Sequence, residues 1–364
     1  METAAKIYFS IFFLLVVFGM VMVFNINMVN VSSVNASLVP QIRTLLFNFA
    51  FAGIAFLCAY LVNLSWFKNP QLILIIVAVM IGLLALTLLI GPKINGARRW
   101  IDLGVMRLQP SEYAKIVVVL YLSEVMTKKG ERIRLGRDFF GIIVVIGVML
   151  GLMANDLGAC FIISGISGAL LIMGGGNKKY LFILGAIFSV LAVCALFLGS
   201  GYRINRIKAF VDPCSKEYRE VGGYQQCQAR KAFSIGGPTG VGFGNSTMKK
   251  SKELPEAHTD FIFPIIGEEF GFAGTIILVC FFIAMFMIGS FFVWRLNDTF
   301  NFYMVSGFVL MLAAQTVLNI FMVMSLLPNK GEPLPFISYG GSALTSYSAM
   351  VGLILNAVTS ESRR

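Results

Sequence analysis

The sequence predicts an all-α polytopic membrane protein of about ten transmembrane helices, with a long polar loop before the last three. Two observations carry that fold class. Hydrophobic residues make up 57% of the 364 and charged residues only 13%, where a soluble domain averages about a quarter charged; mean hydropathy is +0.82. The second is a succession of apolar runs, each long enough to cross a bilayer core, separated by short polar loops.

The first run, 7–24, is too long for a signal-peptide core and no convincing cleavage site follows it, so it reads as a retained helix. Further spans fall at 45–66, 71–91, 111–127, 138–155, 158–174 and 180–199. A polar segment covers about 200–261, and the last spans are 262–294, 300–326 and 336–358. The eighth is longer than a span requires and opens on the polar, glycine-rich IGEEFGFAG, so its first turns are expected outside the hydrocarbon. No internal repeat is visible, which gives an inverted-repeat transporter no support. The whole chain, 1–364, reads as one integral membrane domain.

Net charge is +11. The basic residues lie in loops between apolar runs, so lipid headgroups and orientation explain them better than nucleic acid does. Lys6, Lys68, Lys128, Lys129, Arg132, Arg134, Arg137, Lys178, Lys179, Arg295, Arg363 and Arg364 fall on one side. The positive-inside rule makes that side, and both termini, cytoplasmic. Two loops on the opposite side break the rule. The short third loop carries Lys93, Arg98, Arg99 and Arg107, and the long one includes Arg203, Arg206, Lys208, Lys249, Lys250 and Lys252. Long loops tolerate either sign of charge; the short loop needs another reason, such as an anionic ligand at the outer surface. Cys58, Cys160, Cys194 and Cys280 lie in apolar runs and read as small hydrophobes. Cys214 and Cys227 share the long loop, where a disulfide is open to them if that loop is extracytoplasmic.

Four segments can carry chemistry. In INGARRWIDLG, 94–104, Arg98 and Arg99 suit bidentate contacts to phosphate oxygens. Trp100 suits either a sugar face or the membrane interface. QPSEYAK, 109–115, then opens a helix with Glu112 and Lys115 three apart on one face, able to pair. The glycine run GGPTGVGFGNS, 236–246, lacks the strand and helix of a phosphate loop, though a backbone nest for an anion stays open. LPEAHTDF, 254–261, sets Asp260 at the mouth of the eighth span. An ionisable group at that depth is paired or in use; a helix N-cap is the rival explanation. His258 is the sole histidine, which excludes a multi-histidine metal site. Glu268 or Glu269 is positioned to share the Asp260 cavity, and Asp156 is the runner-up carboxylate. Finally, Pro328, Pro333 and Pro335 exclude a regular helix from LPNKGEPLPFISYGGSAL, 327–344, where Gly340 and Gly341 mark a packing hinge or a ligand approach.

RRWI with QPSE, YRINR, GFGNS, LPEAHTDFIF with GEE, and LPFISYGGS occur in that order along the whole chain. Together they resemble the SEDS family (shape, elongation, division, sporulation), and EAHTDFIF, IIGEE and PLPFISYGG look more FtsW-like than RodA-like. The resemblance implies a peptidoglycan glycosyltransferase that polymerises lipid II at the outer face of the bacterial cytoplasmic membrane, in cell division at the septum or in elongation. It implies Asp260 as the essential aspartate, Trp100 as the motif tryptophan and Glu112 with Lys115 as the helix acid and base. A family lysine after GNS matches either Lys249 or Lys250. A class B penicillin-binding protein and other division proteins are the implied partners, beside membrane lipid.

Pyrophosphate is a good leaving group that needs cations rather than a general acid. One base, Asp260, plus a belt of Arg98, Arg99, Arg203, Arg206 and Lys249 or Lys250 is then a sufficient set, with His258 at hand. The resemblance leaves room for a divalent cation, Mg2+ or Mn2+, on the pyrophosphate; the sequence shows no dedicated metal site. A lipid II flippase is the competing class, and a non-catalytic division scaffold the third. Charged motifs gathered on one side favour the enzyme.

Overall fold

The computed structural model describes residues 1–32, 39–94, 96–102, 104, 107–130, 136–177, 179, 182, 185, 210, 212–215, 223–251, 253–328 and 330–362. The chain begins with α1 (Glu2–Ser32), α2 (Val39–Leu61) and α3 (Pro70–Ile90). Next come α4 (Pro110–Lys129), α5 (Gly136–Leu152) and α6 (Leu157–Met173). Two shorter helices, α7 (Tyr224–Gly236) and α8 (Thr247–Lys250), occupy the long loop. α9 (Ile262–Arg295), α10 (Thr299–Val323) and α11 (Gly341–Ser362) complete the chain. Every predicted span except 180–199 coincides with a helix. That span lies outside the described residues for the most part, and Arg132, Arg134, Lys178, Cys194, Arg203, Arg206, Lys208, Lys252, Arg363 and Arg364 lie outside them entirely.

Sequence chemistry sets the helix ends. Asn69 precedes Pro70, and its side chain accepts from the Gln71 N–H; an Asx cap followed by proline is a strong start signal. Asp156 caps α6 and Asp298 caps α10 in the same way. The last helix starts at Gly341 rather than 336, because Pro333, Pro335 and the left-handed Phe336 (φ 67°) keep 333–340 out of a helix.

By length and apolarity α1, α2, α3, α9, α10 and α11 qualify as membrane spans among the described residues. Their flanks leave Leu61, Leu89, Met287 and Trp294 exposed, as a lipid-facing surface does. The opposite case is α4, which is buried along almost its whole length, Glu112, Lys115 and Glu124 included. It packs on α3, α6, α10 and α11. A central helix meets protein rather than lipid, so it carries polar groups that a lipid-facing helix excludes. Elsewhere, α11 fastens to α2 through Asn356, whose amide donates to the carbonyls of Ala59 and Val62 at 3.1 and 2.7 Å. The short loop after α3 forms two ribbons that the sequence does not announce: β1 (Lys93–Ile94) with β2 (Ala97–Arg98), and β3 (Ile101–Asp102) with β4 (Arg107–Leu108).

The long eighth span is broken. At Gly271 the backbone turns to φ 67° and ψ −167°. Residues 237–242 fill the break. Val241 and Gly242 donate to the carbonyls of Glu268 and Glu269, both at 3.0 Å, while Phe272 and Ala273 donate to those of Gly237 and Pro238 at 2.8 and 3.1 Å. Backbone groups orphaned by the break are thereby satisfied. A Cβ on Gly240 would lie 2.2 Å from the Glu269 carbonyl oxygen, and one on Gly271 2.3 Å from the Gly240 nitrogen. This corrects the anion-nest reading of the glycine run: the N–H groups of Gly240, Val241 and Gly242 all go to carbonyls. Cys214 and Cys227 form a disulfide that ties the loop to α7.

Candidate active site

α3, α5 and α10 end, and α4, α6, α9 and α11 begin, at one end of the bundle. Helix N-termini carry partial positive charge, so this end suits anions. Segments 254–261 and 327–340 close over it. They are joined where the Tyr339 N–H donates to the His258 carbonyl at 2.8 Å, and where Asn319 Nδ2 donates to the carbonyls of both Asp260 (2.9 Å) and Glu332 (2.5 Å).

Asp260 stands in the turns just before α9. The residue at the cap position is Phe261, with no side-chain bond, so the N-cap explanation of Asp260 does not hold. Gly331 (φ 63°) lies against the carboxylate; a Cβ there would sit 2.7 Å from Oδ2. Among the described residues the carboxylate accepts no hydrogen bond. Burial pushes its pKa up to about 7; Glu256, Asp156 and Glu112 add to the rise and Arg99 opposes it. Burial also lowers the pKa of His258, with Glu256 opposing, so the ring is neutral at pH 7.

Arg99 Nε donates to the Asn155 carbonyl at 2.9 Å, which sets its guanidinium over the start of α6. A small, half-open cleft lies here, lined by Leu84, Thr87, Arg98, Arg99, Ser111 and Asp156 among others. Asp156 Oδ2 accepts from Ser111 Oγ at 2.7 Å and Gln109 Nε2 at 3.0 Å. Lys330 lies over the Phe161 ring, 5.6 Å from its centroid. Burial lowers its pKa, while Glu332 and Asp156 raise it.

Beneath the cleft the Glu112–Lys115 pair forms, at 2.8 Å and fully buried. Lys115 Nζ also donates to Gln315 Oε1 at 3.1 Å and stands 4.0 Å from Glu332 Oε2. Gln315 Nε2 donates to the same Glu332 oxygen at 2.6 Å.

Among the described residues, fewer of the predicted cations face the cleft than expected. Arg98 lines the cleft, but its guanidinium donates to the carbonyls of Leu88 and Leu89 and so caps α3. Lys249 is buried, bonded to Asn25 Oδ1 at 2.7 Å and Glu269 Oε1 at 2.8 Å; Lys250 is exposed. Arg203 and Arg206 lie outside the described residues. Trp100 is half-buried, with its carbonyl against Gly91. Glu268 and Glu269 do not share the Asp260 cavity. Glu268 accepts from Ser246, Thr247 and the Met248 N–H, and Glu269 holds Lys249 and Asn25, so both clamp the long loop.

Nor is Asp260 a lone acid. Glu332, Gln315, Asn319, Lys330 and Glu256 escape the sequence reading. A signal existed for the amides: Gln315 and Asn319 sit four apart in an apolar run, hence on one face. For Lys330 and Glu332 the signal was a charged pair between prolines, masked by the attention those prolines draw.

The FtsW/RodA/SpoVE family of cell cycle proteins matches residues 5–363. A probable peptidoglycan glycosyltransferase FtsW from Trichlorobacter lovleyi is 38% identical over 288 residues, 78% of this chain and 74% of that protein. Among solved structures, a chain of a peptidoglycan synthase complex superposes with a TM-score of 0.78 at 22% identity, covering 98% of both chains. The rod shape determining protein RodA of Thermus thermophilus gives 0.68 at 22% identity, covering 97% of this chain and 95% of that one.

Proposed function

This chain belongs to the FtsW/RodA/SpoVE family of cell cycle proteins, the SEDS family, and is FtsW-like; from that membership we propose that it is a peptidoglycan glycosyltransferase polymerising lipid II. It is a multi-pass membrane protein; its site is read as opening at the outer face of the bacterial cytoplasmic membrane, with cytoplasmic termini and a place at the division septum. The observation that supports the site most directly is Asp260: a carboxylate with no hydrogen-bond partner among the described residues, its pKa pushed up to about 7 by burial and pulled down by the charge of Arg99.

The reaction asks for little more. The 4-hydroxyl of an acceptor sugar attacks the anomeric carbon of the donor, the bond to pyrophosphate breaks, and the configuration inverts. Asp260 takes the hydroxyl proton as general base; a pKa close to operating pH balances the ionised fraction against basicity. The leaving pyrophosphate gains one negative charge on the departing oxygen, which Arg99 and Lys330 would neutralise, with helix N-termini behind them. Trp100 and His258, on the flanking segments, are proposed to contact the sugars. Glu112 and Lys115 hold the floor rigid; a role for Arg203 and Arg206, which lie outside the described residues, rests on the sequence alone. A divalent cation, Mg2+ or Mn2+, is proposed only as a companion of the pyrophosphate. No group of three histidine, cysteine, aspartate or glutamate side chains suited to hold a metal occurs among the described residues, so no step is assigned to it. A class B penicillin-binding protein is the proposed partner.

The test is a gel assay for glycan strands from purified lipid II with the partner transpeptidase present. The wild-type chain should make strands and Asp260→Asn should not. Flipping of lipid II without polymer would favour transport instead.

A further inference from the structure

Glu332 is only 5% exposed, yet Lys115 already has a carboxylate in Glu112 at 2.8 Å. A second buried acid beside one ammonium is an electrostatic burden rather than a need. Its side chain is nevertheless closely fitted. Oε2 accepts from Gln315, and Oε1 fills the space of the missing side chain at Gly158, where a Cβ would lie 1.4 Å away. Its own carbonyl shares Asn319 with the carbonyl of Asp260, and its neighbour Gly331 rests on the Asp260 carboxylate. Pro333 and Pro335 bring no N–H to this segment, so side chains must hold it.

We propose that Glu332 is a positioning residue for the polymerisation step: it fixes segment 330–333 to α4, α6 and α10, and through Asn319 and Gly331 fixes Asp260 in its reactive place. This rests on the glycosyltransferase reading. The groups that face Glu332 are Lys115 and Glu112 from α4, Asp156 and Cys160 from α6, Tyr347 from α11, and Lys330 on its own segment. Burial raises its pKa to about 8 against the pull of Lys115, so at pH 7 the neutral form holds the segment. Glutamine copies that neutral form.

The experiment is strand formation from lipid II by the full chain with its transpeptidase, comparing wild type, Glu332→Gln and Glu332→Ala between pH 6 and 9.5. Misplacing a catalytic group by an ångström costs on the order of 100-fold, so Glu332→Ala should lose about 10- to 100-fold in kcat with little change in KM. Glu332→Gln should stay within about twofold of wild type at pH 7 and lack the wild-type change in rate near pH 8. Wild-type kcat in Glu332→Ala, a loss confined to KM, or a Glu332→Gln variant as impaired as the alanine would each overturn the proposal. If the alanine variant does not fold, the pH profile decides: an upper transition persisting in Glu332→Gln overturns it, and its loss supports it. A wild-type chain that binds its partner but makes no strands would overturn the glycosyltransferase reading and this inference with it.

Discussion

Two clusters of acid flank the start of α9, and they differ in how their carboxylates are bonded. Around Glu268 and Glu269 every carboxylate oxygen has a donor: Ser246, Thr247, Met248, Lys249 or Asn25. Around Asp260 the carboxylate has none among the described residues, and burial, aided by the charge of Glu256, pushes its pKa up to about 7. Both lie in the same motif region, LPEAHTDFIFPIIGEE. Saturation of hydrogen bonds, together with the deeper burial of Glu268 and Glu269, separates the cluster that holds the fold from the one proposed to do chemistry. Buried groups that are fully paired rigidify, whereas an unpaired acid with a shifted pKa is the signature of a working site.

The largest effect that would break this contrast is at Asp260. Asp260→Asn should abolish strand formation, a loss beyond about 100-fold. It should leave thermal unfolding in detergent unchanged or raised at pH 8. The sign follows from the pKa: it is raised from 3.8 to about 7 in the fold, so the ionised form is the one the fold disfavours. That penalty is absent below the unfolded value and grows as pH climbs through about 7. A lower melting temperature would make Asp260 structural.

The converse holds for the saturated cluster. Lys249→Ala leaves Glu269 buried with half its partners, and breaking a buried pair costs about 3–5 kcal/mol. Unfolding should therefore shift sharply, with activity lost only in proportion to the folded fraction. Lys250→Ala, one position away and exposed, should change neither.

A smaller effect sharpens the chemistry. Strand formation should rise with pH along a limb centred near 7, as Asp260 loses its proton. A flat profile from pH 5.5 to 8.5 would remove it as the base. Smallest is Arg99→Ala, which should raise the apparent KM for lipid II by about tenfold, the effect of one charge-assisted contact, with the melting temperature held. Among the described residues its Nε bond to Asn155 is the one hydrogen bond the fold would lose.

Much of this was legible in sequence. Apolar runs placed the helices, since hydrocarbon thickness dictates their length. Glu112 and Lys115 met because three residues along a helix return to one face. What sequence could not show was destination. Arg98 and Arg99 are adjacent and alike, yet one caps α3 and the other reaches the cleft, because a two-residue ribbon sends neighbouring side chains apart. Lys249 and Lys250 divided likewise, one turned inward by the single turn of α8. Glu332 was hidden because its partners, Gln315 and Asn319, come from a helix separated from it by a proline-rich bend.

The stitched break at Gly271 carries a consequence for how this chain tolerates change. Because the seam is made of main-chain bonds, most side chains along it are spectators: Thr239 and Val241 can be exchanged freely so long as the backbone keeps its path. The exceptions are Gly236, Gly240 and Gly271, where a methyl group would strike the opposing main chain at 2.0–2.3 Å, and Gly237 and Gly242, whose φ of 54° and 93° suits glycine. Tolerance mapped across 236–242 and 268–273 should fall sharply at these glycines, set by clearance and backbone conformation, and at Glu268 and Glu269, which clamp the long loop, and stay even elsewhere.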